Sequence, residues 1–233
     1  MLWLLVLSPL WAAEEKKEAG KVRFDPVQRE IEGWTVHIDP ALLEGDGAEE
    51  GARALRMLAD HLHRISLLVE GEPLKKLRRC EIWIEKNHPT LRPMQYHPSV
   101  EWLRAHGHDP RLAKKVHITQ ASALVARSQL LQHPAVVLHE LAHAYHDQFL
   151  GFDHAALLKC YGSAMARGKY EKVLNFTGRE MRHYGASNHK EYFAEATEAY
   201  FWRNDFFPFV RAELERFDPA LHAELEKIWG PAR

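Results

Sequence analysis

The sequence predicts an α+β fold, mostly helical, with a small mixed sheet beside one buried helix. Two observations support this class. Apolar residues recur at helical spacing in long segments such as 49–69 and 189–202, whereas the shorter segment 80–86 alternates apolar with charged residues. Because the alternating segments are few and short, we expect helices to supply most of the structure and the strands to form one modest sheet.

The amino-terminal half supplies the predicted sheet. Residues 29–43 alternate around Gly33, which indicates a strand or hairpin, and a helix follows over residues 49–69. In CEIWIEK, residues 80–86, two isoleucines alternate with charged neighbours, which is typical of a half-buried strand. A further strand is predicted at residues 116–119.

Helices dominate the carboxyl-terminal half. The predicted helices lie in residues 134–148, 189–202, 209–217 and 219–229. We expect the last two to close the lobe that carries residues 189–202. With no internal repeat or second boundary visible, residues 22–233 are predicted to be a single domain.

Composition is that of a globular protein. The 233 residues are 46% hydrophobic and 27% charged, which is enough to bury a substantial core. The formal net charge is −1 and the lysines and arginines are dispersed, so the sequence gives no electrostatic case for binding nucleic acid.

The amino terminus indicates export. Residues 1–13 are apolar and too short to span a bilayer, which predicts a signal peptide, and residues 14–21 form a polar linker. We therefore expect a secreted or periplasmic protein with no stable membrane insertion. The two cysteines, Cys80 and Cys160, leave open whether a disulfide forms.

One motif contains residues that can bind a metal ion and transfer a proton. His139, Glu140 and His143 form H-E-x-x-H within the predicted helix 134–148. Residues four apart lie on one helix face, about 6 Å apart along the axis, so both imidazoles can bind one ion. Zinc accepts neutral imidazole nitrogens, and a glutamate beside the metal-bound water is placed to take its proton.

Chance alone can place three residues at this spacing on an ordinary amphipathic helix. The surroundings argue against chance, because the helix is otherwise apolar and three buried ionisable groups without a partner would be costly. The sequence therefore predicts one catalytic zinc ion, which requires a third protein ligand.

Residues 189–202 offer that ligand. Glu191, Glu195 and Glu198 recur at spacings of four and three on one stripe of a helix, among bulky aromatic residues. Any one of these glutamates could instead belong to an exposed acidic face of the helix. The aromatic residues beside them indicate that at least one points inward. The spacing alone leaves Glu191 and Glu195 both open as ligand.

The order HELAH, then Tyr184, then EYFAEATEAYF resembles the catalytic domain of anthrax lethal factor and related secreted gluzincin-type peptidases, including Pro-Pro endopeptidases. The resemblance covers roughly residues 116–205. It implies a zincin-like metallopeptidase domain, zinc held by His139, His143 and Glu191, Glu140 as general base, and Tyr184 supporting the oxyanion or leaving group. As a core residue, Tyr184 would have only a packing role.

Two further residues are candidates for orienting the ligands. Glu195 is expected to accept the outer N–H of a ligand histidine, and Asp147, four residues after His143, is a second candidate against the alternative of a solvated helix end. Other histidines, among them His183, are more typical of surface or loop residues. In zinc peptidases of this architecture a strand edge near the metal receives an extended substrate, and residues 115–124 are where we expect that edge.

These observations predict a zinc-dependent endopeptidase whose partner is a peptide or protein substrate. The alternative is a binding or adhesion module that retains zinc on a peptidase scaffold, and the intact Glu140 favours the enzyme. No local motif specifies the substrate, the oligomeric state or a need for activation.

Overall fold

A five-stranded mixed sheet forms one layer of the fold in a computed structural model that describes residues 22–231. The predicted signal peptide and polar linker, residues 1–21, lie outside the described residues. The spatial order of the strands is β1-β2-β3-β5-β4. Their bounds are β1 Val27–Ile31, β2 Trp34–Ile38, β3 Ile82–Ile84, β4 Gln95–Tyr96 and β5 Val116–Ile118.

The three central strands run parallel and the two edge strands are antiparallel to their neighbours. The predicted hairpin is present as β1 and β2, which are joined at Glu32 and Gly33. Both residues have positive φ, 52° and 89°, the combination that matches the twist of a tight hairpin and that favours glycine. The expectation of a small mixed sheet is confirmed.

Two expectations about the sheet were wrong in detail. The strand at residues 82–84 is buried on both faces rather than half-buried, because it lies between two parallel neighbours and Trp83 packs into a second apolar cluster with Leu103 and Leu112. Residues 116–118 do not form the edge of the sheet, because β4 pairs with their outer side. The strand at the edge beside the helical layer is therefore β4.

The helices form the rest of the fold. The long predicted helix is α1, Ala48–Leu68, and the two decisive helices are α6, Val136–Tyr145, and α8, His189–Phe201. The remaining elements are α2 Gly71–Leu77, α3 Val100–Ala105, α4 Ala121–Leu124, α5 Arg127–Gln132, α7 Ala155–Ala166, α9 Arg211–Phe217, α10 Pro219–Trp229 and the two-stranded ribbon β6 Val173–Leu174 with β7 Glu180–Met181.

A continuous apolar core joins the sheet to the helices, from Trp34 on β2 to Trp229 on α10. Helix α6 lies at its centre, in contact with α1, α8 and the strand pair β4–β5. Helices α9 and α10 pack on α8, in agreement with their expected role of closing that lobe. Cys80 and Cys160 are both free thiols, so no disulfide joins them.

Within residues 22–231, no helix combines the length and apolarity that crossing a bilayer requires.

Candidate metal centre

Helix α6 positions the H-E-x-x-H residues. Nine of its residues are buried, including His139 and Glu140, so the helix is held by packing on every side rather than on one stripe. It continues as one π-helical turn, His146–Leu150, and ends at Gly151, whose φ of 82° suits glycine. His139 and His143 lie one turn apart on α6.

Helix α8 brings Glu191 to the same place. The side chain of Asn188 caps the helix and accepts hydrogen bonds from the backbone N–H groups of Lys190 at 2.9 Å and Glu191 at 3.1 Å. This cap fixes the start of the helix, so Glu191 lies in its first turn. Because α6 and α8 pack against each other, the carboxylate of Glu191 faces the two histidines.

Three atoms that could bind one metal ion converge between these helices. Nε2 of His139 and Nε2 of His143 are 3.1 Å apart, and each lies 3.2 Å from Oε2 of Glu191. Ligands bound tetrahedrally to zinc at 2.0–2.1 Å are separated from each other by about 3.3 Å. The three atoms therefore already have nearly the spacing of a zinc ligand set, and the donor types, two imidazoles and a carboxylate, match one.

The charge of the Glu191 carboxylate also suits a metal ion. Burial alone would raise the pKa of Glu191, but hydrogen bonds with His139 and His143 hold the pKa of that carboxyl well below its ordinary value. An ionised carboxylate is the form that binds a metal ion.

Glu140 is buried next to the three ligands, and its Oε2 accepts a hydrogen bond from the backbone N–H of Tyr96 on β4 at 2.8 Å. Burial is the main cause that raises the pKa of Glu140 above its ordinary value, although the neighbouring imidazoles oppose it. A raised pKa brings a carboxylate closer to the range in which it can accept a proton and later release it.

Tyr184 lies on the open side of the site. It begins a short 3₁₀ turn, Tyr184–Ala186, and its side chain is 50% exposed, so it is not the core tyrosine of the alternative interpretation. The backbone of Gly185 packs closely on Tyr192, and a Cβ at this position would lie 3.2 Å from the Cα of Tyr192. Partial burial, followed by the charge of Glu191, raises the pKa of Tyr184, so the hydroxyl keeps its proton.

The outer N–H of His139 has a different partner from the one expected. Oε1 of Glu198 lies 2.7 Å from Nδ1 of His139, whereas Oε1 of Glu195 lies 3.6 Å away, beyond hydrogen-bonding distance. The same Glu198 oxygen lies 2.8 Å from Nε2 of His133. The role predicted for Glu195, accepting the outer N–H of His139, thus belongs to Glu198, one turn further along α8.

The two buried glutamates differ in charge. Burial would raise the pKa of Glu198, but His133 and then His139 lower it to about 2, so this carboxylate is ionised. Burial and the charge of Glu198 raise the pKa of Glu195 well above its ordinary value. Glu198 therefore has the charge that orients an imidazole, and Glu195 has no direct partner among the ligands.

Asp147 does not orient a histidine. Its Oδ2 accepts hydrogen bonds from the hydroxyl of Tyr96 and from Nζ of Lys114, both at 2.6 Å. The residue follows α6 in the π-helical turn, which directs its side chain towards the sheet instead of the metal centre. Its role is to tie β4 to the end of the α6 helix.

Sequence reasoning missed two contributors, Glu198 as partner of His139 and His133 as partner of Glu198. Glu198 belongs to the recognised acidic stripe, so its periodicity was a usable signal. His133 precedes α6 by a turn-like segment and has no diagnostic spacing. His183, expected at the surface, is 3% exposed, and its Nδ1 accepts the backbone N–H of Gly185 at 2.9 Å.

A cavity of about 780 Å³ opens on the three ligands. Glu140, Tyr184 and the edge strand β4 line it, together with Ile118 and Thr119 at the end of β5. A partly open cavity that combines an apolar lining with a few converging polar groups is the arrangement expected of a binding site.

Comparison of the chain with protein-family models, with curated proteins and with solved structures gives no match. The centre is therefore interpreted from its own geometry.

Proposed function

We propose that this protein is a zinc-dependent endopeptidase. The observation that carries the proposal is the spacing of 3.1–3.2 Å among Nε2 of His139, Nε2 of His143 and Oε2 of Glu191. Its agreement with the ligand spacing of zinc, and the presence of Glu140 beside it, support a catalytic rather than a purely structural site. The resemblance of the motifs to gluzincin-type peptidases points in the same direction.

Zinc, when bound, would acidify a water molecule and polarise the carbonyl of the scissile bond. The protein's own contribution begins with Glu140. Its carboxylate accepts the proton of the attacking water and, with a raised pKa, can deliver that proton to the leaving amine. The hydrogen bond from the backbone N–H of Tyr96 fixes one carboxylate oxygen and leaves the other for this transfer.

Tyr184 would donate a hydrogen bond to the oxygen that becomes negatively charged as the carbonyl is attacked. Its exposure at the cavity and the protonated state of its hydroxyl support this role. Because the turn that carries Tyr184 packs against α8, the hydroxyl is positioned by the same helix that supplies Glu191.

An extended peptide suits the cavity because β4 lies at the edge of the sheet. An exposed edge can pair with an added strand through main-chain hydrogen bonds. In β4 the strand would use main-chain groups other than the N–H of Tyr96, which already donates to Glu140. Since β4 and the metal centre line one cavity, a peptide along that edge would pass beside the ligands. Such binding favours cleavage inside a chain over removal of a terminal residue.

The experiment is incubation of the purified protein with a broad peptide library, with and without a chelator, followed by mass spectrometry of the products. We expect cleavage that the chelator abolishes and that added zinc restores. Glu140→Gln is the matched control, since it should bind zinc without cleaving. A protein that binds zinc but cleaves nothing in the library would instead support a binding module.

A further inference from the structure

The part of the cavity beside His139 is bounded by acidic residues. Glu195 on α8 and Asp205 in the loop that follows both line the cavity, and both are almost fully buried, with 2% and 8% exposure. Gln129, Gln132 and Phe206 complete this wall. None of these side chains has a role in the ligand set described above.

The loop that holds Asp205 is rigidly fixed. The side chain of Asn204 donates to the backbone oxygen of Glu195 at 2.9 Å and accepts the backbone N–H of Phe206 at 2.9 Å. The backbone oxygen of Asp205 accepts the N–H of Phe176 at 2.7 Å. The backbone that carries Asp205 is thus held in place before any ligand arrives.

Two glutamates at this wall each have one carboxylate oxygen without a partner. Oε2 of Glu195 and Oε2 of Glu198 are buried without a hydrogen-bond partner in the described part of the chain. The hydrogen bond recorded for the Asp205 carboxylate comes from the backbone N–H of Asp205 itself. Nδ1 of His183 lies 3.8 Å from Oε2 of Glu195. It accepts a hydrogen bond from the backbone N–H of Gly185, so it carries no proton to donate to Glu195.

The nearby cations are engaged elsewhere. Lys190 lies 4.1 Å above the ring of Phe152, and Arg92 donates to the side chain of Asn87 at 2.7 Å. Arg203, next to Asn204, donates to the backbone oxygen of Leu131 at 2.8 Å. His133 and His139 also face this wall, and both contact Glu198, while Nδ1 of His139 lies 3.6 Å from Oε1 of Glu195. Among residues 22–231, neither histidine forms an ion pair with Asp205. A buried carboxylate without a direct ion pair is costly, so Asp205 is complementary to a cation.

We propose that Asp205, with Glu195 behind it, forms a subsite that binds a positively charged group of the substrate next to the scissile bond. This inference rests on the proposed peptidase function and names its substrate class. The cation is either the side chain of a lysine or arginine or the free amino group of a peptide, since an ammonium satisfies the same carboxylate in each case.

Asp205 has the properties expected of such a specificity residue. Burial, above the other causes, raises the pKa of Asp205 to about 6, and an incoming cation would restore its ionised form. Gln129 and Gln132 add neutral polar groups around the charge, which suits a long basic side chain better than a compact apolar one. Because the loop is already fixed, ligand binding would not include the free-energy cost of ordering it.

The test uses acetylated and amidated peptides that the wild-type protein cleaves or, if it cleaves none, library peptides that it binds. Each position near the cleaved bond is replaced in turn by lysine, arginine or norleucine, and one series carries a free amino terminus. The variants are Asp205→Asn and, as a matched control, Asp46→Asn at an exposed site. We expect a preference of roughly tenfold or more in kcat/KM for a basic residue over norleucine at one position. The preference should disappear in Asp205→Asn through a rise in KM for the basic peptide.

Binding gives a second readout that does not depend on turnover. Fluorescence anisotropy of the same peptides is measured with Glu140→Gln and with the double variant Glu140→Gln/Asp205→Asn. Tighter binding of the basic peptide that the Asp205 change removes supports the subsite even if no peptide is cleaved, and so separates this inference from the peptidase proposal. A preference confined to the free amino terminus assigns the subsite to that group.

Equal binding and cleavage of basic and norleucine peptides would overturn the inference, as would a basic preference that Asp205→Asn leaves unchanged. Melting temperatures of the variants are compared with that of the wild type, to show that they are folded. Cleavage without any charge preference would leave the peptidase proposal standing and remove this one.

Discussion

Oε1 of Glu198 lies 2.7 Å from Nδ1 of His139, on the side of the ring opposite the nitrogen that faces Glu191 and His143. An ionised carboxylate at this distance holds the proton on Nδ1. The lone pair of Nε2 is then directed to the centre of the ligand set. Glu198 on α8, which would not itself contact the metal, thus fixes the tautomer in which His139 on α6 can bind it.

Replacing Glu198 should weaken zinc binding. In Glu198→Gln the amide no longer carries the charge that fixes the His139 ring, and we expect the zinc affinity to fall about 10- to 100-fold. Competition with a chelator of known affinity measures this. Glu195→Gln is the matched control, because its oxygen lies 3.6 Å from the same nitrogen. An unchanged affinity in Glu198→Gln would remove Glu198 from the site.

Glu191→Gln should abolish stoichiometric zinc binding, since it removes the carboxylate that lies 3.2 Å from both ligand nitrogens. Zinc content after dialysis, measured by elemental analysis, should fall from about one ion per chain, the stoichiometry of a single catalytic site, to well below it. Glu195→Gln should retain the ion. Greater loss of zinc in Glu195→Gln than in Glu191→Gln would reverse the assignment of the third ligand.

Glu140→Gln should keep zinc and lose turnover. Glutamine preserves the shape of the side chain and can still accept the N–H of Tyr96, but it cannot take a proton from water. We expect kcat to fall by about 10²- to 10⁴-fold. Zinc content and melting temperature serve as controls. Cleavage at the wild-type rate would exclude Glu140 as the general base.

Tyr184→Phe should lower kcat on the order of 100-fold with little change in KM, because the lost hydrogen bond forms as the carbonyl oxygen gains charge. The side chain is half exposed, so the free energy of unfolding should change little. Steady-state kinetics and thermal unfolding separate the two effects. A variant that is destabilised but kinetically normal would make Tyr184 a packing residue.

Stability should fall in mild acid because of buried histidines that are not among the proposed metal ligands. His61 on α1 is 3% exposed, and burial lowers its pKa to about 4. The unfolded chain then binds a proton at higher pH than the folded one. The stabilisation from neutral His61 is thus complete above about pH 6.5 and is lost as the pH falls towards 4.

The measurement is urea unfolding of the wild type and His61→Leu at pH 7.5 and at pH 5.0. Replacing this histidine should reduce the loss of unfolding free energy between the two pH values by on the order of 2 kcal/mol. An equal loss in both proteins would show that His61 does not contribute. His88 and His97, whose pKa values burial also lowers, account for part of the remaining loss.

Local geometry explains what the sequence could predict. The spacing of His139 and His143 determines their separation on any helix, so the pair was recognisable without knowledge of the fold. The start of α8 near Glu191 was similarly visible, since its aromatic and acidic residues follow a helical period. The long amphipathic helix and the hairpin were found for the same reason.

The predictions that were wrong concern contacts between segments that are distant in sequence. Whether Glu195 or Glu198 meets His139 depends on the rotation of α8 against α6, which no segment of sequence specifies. The strand β4 has two residues, too few to show alternation, so the edge of the sheet was assigned to the longer apolar segment nearby. Burial of β3 on both faces depends on neighbours that arrive from distant parts of the chain.

Tyr96 joins the edge strand β4 to helix α6 at two points. Its backbone N–H holds Glu140, and its hydroxyl holds Asp147 at the far end of the same helix. Shifting β4 by one residue would turn this side chain to the opposite face and withdraw both hydrogen bonds at once. The alignment of a two-residue strand therefore governs the reactive carboxylate, and insertions or deletions in the preceding loop should impair chemistry while leaving the ligands intact.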